Sequence, residues 1–151
     1  MTTIQMPMRC YGPEIGHYGW LFEADGVWYA GSVEMPDSTT RLWLSCKADF
    51  DIYDDALDWF RRGALPAGSS VPASPYCAVD GWVLENANPA AGVAAHLAAP
   101  IDDYFTTERN CMAVAIDVLG AVAGRRDLGF SRREHPWDPK PVGCLGGCVS
   151  S

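Results

Sequence analysis

Positive charge is scarce in this 151-residue chain: eleven Lys and Arg stand against nineteen Asp and Glu, a formal net charge of −8. A chain so acidic lacks the clustered cations that a phosphate backbone requires, which argues against nucleic acid as a partner. The two arginine pairs, Arg125-Arg126 and Arg132-Arg133, are each followed at once by an acid, Asp127 and Glu134, and read as a mixed solvated face. Long apolar runs are missing as well. The longest falls short of the roughly 20 residues that span a bilayer, so no transmembrane segment is expected. Met1 to Arg9 has no basic stretch leading into an apolar core, so it does not read as a secretory signal. Synthesis in the cytosol is the expectation, and export by another route would leave no mark. Cysteine is present but not dense: Cys10, Cys46, Cys77, Cys111, Cys144 and Cys148, expected to be mainly reduced. There is no internal repeat.

What remains is globular, 48% hydrophobic and 20% charged, and long enough to bury a real core as one domain. Ile4–Cys10 reads as a lead-in strand kept near a sheet edge by Pro7. His17–Glu23 and Val27–Val33 are aromatic-rich strands around Asp25-Gly26, a strong hairpin signal. Arg41–Cys46 reads as a third strand. Asp49–Arg62 reads as a helix with acids crowding its start and Gly63 behind it. Ala64–Pro75 is a loop rich in Pro and Gly, long enough for a lid or a linker. Tyr76–Glu85 is a strand with Gly81 marking a bend or bulge. Asn86–Gly92 is a turn, and Val93–Ala99 a short helical turn carrying His96. The class is α+β, an antiparallel sheet packed on a central apolar helix. Residues 1–123 form the domain and 124–151 a Pro/Gly-rich extension.

The central helix is the most informative stretch. Asn110 is a good N-cap, and the run from Cys111 to Gly120 is broken only by Asp117. A helix so apolar belongs inside a domain, and a thiol at its first turn feels the positive end of the dipole. That is the setting of a nucleophile, although a free cysteine also packs well as a small hydrophobe. A nucleophilic thiol needs a base. Of the three histidines, His135 lies in the proline-rich tail and His96 on an Ala-rich segment read as surface or filler. His17 opens a strand beside a glycine, where a ring nitrogen can meet the end of a packed helix. His17 and Cys111 are therefore the candidate base and nucleophile, with backbone N–H groups around Cys111 as an oxyanion hole.

These two stretches, Gly16 to Gly31 and Tyr104 to Leu119, resemble the His-strand hairpin and the Asn-Cys helix of circularly permuted papain-like proteins. Those are the permuted members of the NlpC-type superfamily, such as the lecithin:retinol acyltransferase-like and PPPDE-type proteins, in which the histidine precedes the cysteine. The resemblance implies a thiol hydrolase or acyl transferase with His17 as base and Cys111 as nucleophile. Acyltransferase-like relatives carry a second histidine on the next strand, where this chain offers Tyr29 and Ser32. Either can bond an imidazole, and Tyr29 is chosen as the orienting residue. The substrate is then a peptide, isopeptide or acyl ester, with peptidoglycan peptide as one candidate.

No metal or cofactor is expected. The acids between Asp49 and Asp58 lack the spacing of an EF-hand loop, and His135, Cys144 and Cys148 fall one ligand short of a structural zinc site. Cys148-Val149-Ser150-Ser151 loosely fits a prenylation signal, but Ser150 is a poor aliphatic and no basic run precedes it. The competing function class is a non-catalytic α+β module, an immunity or adaptor protein in which Cys111 is simply buried.

Overall fold

The computed structural model describes residues 2–10, 16–72, 74–99 and 111–125. The cap Asn110, the stretch 101–110, His135, Cys144, Cys148 and the extension beyond Arg125 lie outside these described residues. The fold is α+β. Its strands are β1 (Thr2–Cys10), β2 (Gly16–Ala24), β3 (Val27–Glu34), β4 (Leu44–Phe50) and β5 (Tyr76–Leu84). They form one antiparallel sheet in the order β4-β3-β2-β1-β5. Among the described residues three helices cover it: α1 (Tyr53–Arg61), α2 (Pro89–Ala98) and α3 (Cys111–Ala123).

Alternation along the strands sorts the core into two layers. Tyr18, Trp20 and Phe22 of β2 join Ile4, Met6 and Met8 of β1 beneath α3, whose Val114, Ala115, Val118, Leu119 and Val122 are all buried. Leu21 of β2 and Ala30 of β3 face the other way, onto Ala56, Leu57 and Phe60 of α1. Only one residue of α3, Asp117, is exposed among the helix positions whose side chains are described, which is why the helix needs so few polar positions. Close approach is built in where Trp20 lies across Gly31: a Cβ on Gly31 would occupy the space of the indole ring. The hairpin turn has positive φ at both central residues, Asp25 at 51° and Gly26 at 80°, the geometry a two-residue connection needs to match strand twist.

Four expectations are corrected. Pro7 does not hold β1 at an edge, since β1 pairs with both β2 and β5. Its pairing with β2 skips Met6 and Pro7, so the missing N–H falls in a gap of the ladder while pairing with β5 runs through. The strand expected from Arg41 is β4 and starts at Leu44, because Arg41 closes a turn onto Asp37 with φ 57°. It also runs on to Phe50, opposite Trp28, which delays the helix to Tyr53. Finally, α2 begins within the expected turn: Pro89 is its first residue and the Asn88 side chain accepts from Ala91 N–H at 3.1 Å. At its far end α3 passes through Gly120 and stops at Ala123, with Gly124 at φ 73° behind it.

The irregular point of the sheet matters most for the site. The register between β1 and β5 shifts between Met8 and Arg9, so that Arg9 stands opposite Tyr76. Strict alternation from Val79 would send Tyr76 to the α3 layer. The shift instead turns its ring into the α1 layer, against Phe60 and His17.

Candidate active site

His17 and Cys111 are brought together. Cys111 opens α3, and His17 is the second residue of β2. Both are buried, Cys111 at 4% and His17 at 7% exposure. The thiol and the imidazole face each other closely enough for each to favour the other's charged form, and the backbone N–H of Tyr18 favours the thiolate as well. His17 Nε2 lies 3.0 Å from Glu34 Oε2, which leaves Nδ1 as the nitrogen for the thiol.

Tyr29 is not brought to this pair. Its ring stacks on Phe22 with centroids 5.3 Å apart and meets His96 edge-on, in the α3 layer and on the face of the sheet opposite to the His17 ring. β3 presents Tyr29 and Val33 to the α3 layer, and Trp28, Ala30, Ser32 and Glu34 to the other. Ser32, the second residue considered beside Tyr29, does reach the site, with its hydroxyl 3.3 Å from His17 Nε2. The group that holds the imidazole is Glu34.

Glu34 is itself heavily engaged. Its Oε2 accepts from Ser32 at 2.7 Å and from Tyr76 at 2.6 Å, besides His17, and the Ser32 and Tyr76 hydroxyls touch each other. Its Oε1 is paired with Arg9 Nη2 at 2.6 Å. Each of β1, β2, β3 and β5 thus contributes to one buried polar cluster, and α3 adds the thiol. His96, by contrast, is a core histidine: it is buried in the α3 layer and its Nδ1 accepts from Trp20 Nε1 at 2.9 Å.

The electrostatics favour separated charge. Burial opposes ionisation of both partners, but it is outweighed. For His17, the facing Cys111 and the Glu34 carboxylate raise the imidazole from 6.5 to about 10. For Cys111, the charge and hydrogen bond of His17 and the Tyr18 N–H hold the thiol below its ordinary 9.0, while Glu34 works the other way. Burial also resists the Glu34 carboxylate, yet His17, Arg9 and Tyr76 keep it below 4.5. The helix N-terminus adds to the preference for thiolate. A second buried thiol, Cys46 on β4, behaves oppositely. Burial and the nearby Glu34 push it up to about 12.

Comparison with family models, with curated proteins and with solved structures finds no match for this chain. The chemistry must be read from the cluster itself. A thiol at a helix start, an imidazole on it and a carboxylate behind the imidazole stand in series. On the far side of Glu34 lies a cavity of about 130 Å³ walled by Met35, Trp43, Leu65 and Val71, whose lining includes neither His17 nor Cys111. Among the described residues no group of three or more His, Cys, Asp or Glu is placed to hold a metal ion. No helix among them is long and apolar enough to cross a membrane.

Glu34 and Arg9 are not among the candidates that the sequence offers. Neither carries a motif. The signal for Glu34 is positional and lies in the hairpin register.

Proposed function

We propose that this chain is a cysteine-dependent hydrolase or acyl transferase acting on an amide, isopeptide or ester carbonyl. Cys111 is the nucleophile, His17 the base and acid, and Glu34 the residue that orients the imidazole. The observation that carries the reading is the buried series from Cys111 through His17 to Glu34, with the thiol shifted toward thiolate. Strand-borne histidine first and helix-borne cysteine later is the order of permuted papain-like proteins, and we read the fold as a member of that arrangement.

In this mechanism the Cys111 thiolate attacks the carbonyl carbon and a C–S bond forms. The carbonyl oxygen takes the charge, stabilised by backbone N–H groups of the first turn of α3, whose donors have no partner within the helix. Collapse expels the leaving group, which takes the proton from the His17 imidazolium. Neutral His17 then draws a proton from water or another acceptor, whose oxygen attacks the thioester and frees the thiolate. Glu34 holds the ring in one tautomer throughout and stabilises its charged form.

The test is modification of native protein with iodoacetamide near neutral pH, followed by peptide mapping. Fast, selective labelling of Cys111 that is lost in His17→Ala supports the enzyme. A Cys111 that stays inert while other cysteines react would sink it. The substrate is then sought among peptidoglycan fragments, isopeptide-linked conjugates and phospholipids, with Cys111→Ala as control. A non-catalytic binding module is the second reading, favoured by the 4% exposure of Cys111. The same labelling experiment decides between them.

A further inference from the structure

The thiol enzyme reading leaves one buried charge unused. Arg9 is 4% exposed and held from several sides. Its Nη2 pairs with Glu34 Oε1 at 2.6 Å and donates to the Gly63 carbonyl at 3.0 Å, its Nε donates to the Ser74 carbonyl at 2.6 Å, and its guanidinium lies 4.6 Å over the Tyr76 ring. Burying a guanidinium is costly, and a well-packed apolar side chain in its place is often as stable or more so. The position therefore calls for an account in terms of charge.

We propose that Arg9 is a positioning residue: by balancing Glu34, it leaves the charge of His17 free to be balanced by a Cys111 thiolate. The inference rests on the Cys111–His17 reading above. Among the described residues, the groups that face Glu34 and His17 are Arg9 from β1, Ser32 from β3, Cys46 from β4, Tyr76 from β5 and Cys111 from α3, with Phe60 of α1 against Tyr76. Cys46 and Tyr76 stay neutral, because burial and the nearby carboxylate push both upward. Four groups among the described residues are left to carry charge: Arg9 and His17 positive, Glu34 and Cys111 negative. With all four the buried cluster sums to zero. Without Arg9, Glu34 and an imidazolium already make a neutral pair, and a thiolate would stand as an unbalanced buried charge. Cys111 would then remain a thiol. The forked contacts to Gly63 and Ser74 also fix the guanidinium, since a bidentate, planar donor set locates the charge.

The experiment measures the rate of Cys111 carbamidomethylation by iodoacetamide as a function of pH, in full-length protein shown to be folded by circular dichroism. In Arg9→Met the midpoint rises by at least about one pH unit, a tenfold or greater loss of thiolate at a pH below both midpoints. Arg9→Gln, neutral but able to donate to the loop carbonyls, rises likewise and stands in for Arg9→Met should that variant fail to fold. Arg9→Lys keeps the charge and stays near the wild-type midpoint. The double variant Arg9→Met/Glu34→Gln removes both charges and returns toward wild type from the single. Neutral variants with the wild-type midpoint overturn the proposal. So does an Arg9→Lys midpoint raised as far as theirs, which would make the fork and not the charge responsible. A wild-type midpoint at or above the ordinary 9.0 removes the thiol-enzyme reading itself, and this inference with it.

Discussion

His17 and Glu34 occupy facing positions on the two strands of one hairpin, and their side chains meet with Nε2 3.0 Å from Oε2. The pairing of β2 with β3 runs from Ala24 opposite Val27 to Gly19 opposite Ser32, so the same count brings residue 17 to residue 34. The imidazole is thus held by a carboxylate on the neighbouring strand, with no long loop between them. Glu34→Gln is expected to lower the proton affinity of His17 from about 10, read from the pH dependence of its ring NMR signals. It should also reduce any hydrolytic turnover by on the order of a hundredfold or more, because the imidazole loses the group that orients it and stabilises its charge. An unchanged His17 titration would remove Glu34 from the mechanism.

Glu34 also makes a prediction about acid. Its carboxyl is held below 4.5 despite burial, so its stabilising contribution is complete above pH 4.5 and is lost as pH falls through the lowered value. Denaturant unfolding of wild type across pH 5 to 2 should show this limb. Glu34→Gln, with no carboxyl to protonate, should be less stable at neutral pH and flatter over the acid range. Parallel curves for the two proteins would show that Glu34 is not the group responsible.

The hairpin explains how much of the site could be read beforehand. Asp25-Gly26 defines a two-residue turn, a two-residue turn defines the register, and the register puts Glu34 across from His17. A second strand ending at Val33 stops one residue short of this pairing, whereas β3 runs to Glu34. The choice of Tyr29 failed on alternation: it is one position out of phase with Trp28, Ala30 and Ser32, and so belongs to the other layer. Arg9 and Tyr76 were beyond reach for a different reason. They meet only because the ladder between β1 and β5 shifts by a residue there, and nothing local in either strand announces that shift. Helix boundaries show a similar split. Gly124 closes α3 through a left-handed backbone, whereas Gly120 inside it is simply a small buried residue, and the letter is the same.

The pairing of Cys111 with His17 sets a pH window. Below 6.5 the raised affinity of His17 contributes fully to stability, and that contribution is lost as pH rises through about 10. The lowered thiol contributes fully above 9.0 and loses its share as pH falls through its lowered value. Between the lowered thiol value and about 10, thiolate and imidazolium coexist. His17→Ala removes the partner and leaves burial to push the thiol upward. Alkylation of Cys111 at pH 7 should then slow at least tenfold, about one pH unit of thiolate population. Stopped-time labelling with peptide mapping measures it, and equal rates in the two proteins would refute the ion pair.

His96 should act as an acid-sensitive point of the core. Burial, and secondarily the Lys47 ammonium, lower its imidazole to about 4, against a smaller opposing effect of Asp49. In the folded state its Nδ1 accepts from the Trp20 indole, a role that a proton at Nδ1 would abolish. The folded chain resists a proton that the unfolded chain accepts at 6.5. Stability is therefore full above 6.5 and falls between 6.5 and about 4, by up to about 3 kcal/mol. Trp20 fluorescence should report the change. His96→Gln, which can still accept from the indole, should be pH-independent over that interval.

Gly31 and Gly26 separate two reasons for a glycine. Gly26 has φ 80° with open space where a Cβ would go, so alanine there costs backbone strain alone, about 1 kcal/mol. Gly31 needs its missing side chain, because a Cβ would fall within the Trp20 ring and force the indole or the strand to move. Overpacking of a close-packed core costs about 1–3 kcal/mol, so Gly31→Ala should lower the urea midpoint more than Gly26→Ala does. The two also differ in coupling. Trp20→Phe shortens the ring that occupies the space, so in that background Gly31→Ala should cost less than it does alone, while the cost of Gly26→Ala stays the same. A double-mutant cycle measures this directly. If the two Gly31→Ala costs agree within a few tenths of a kcal/mol, contact with Trp20 is not what excludes a side chain there.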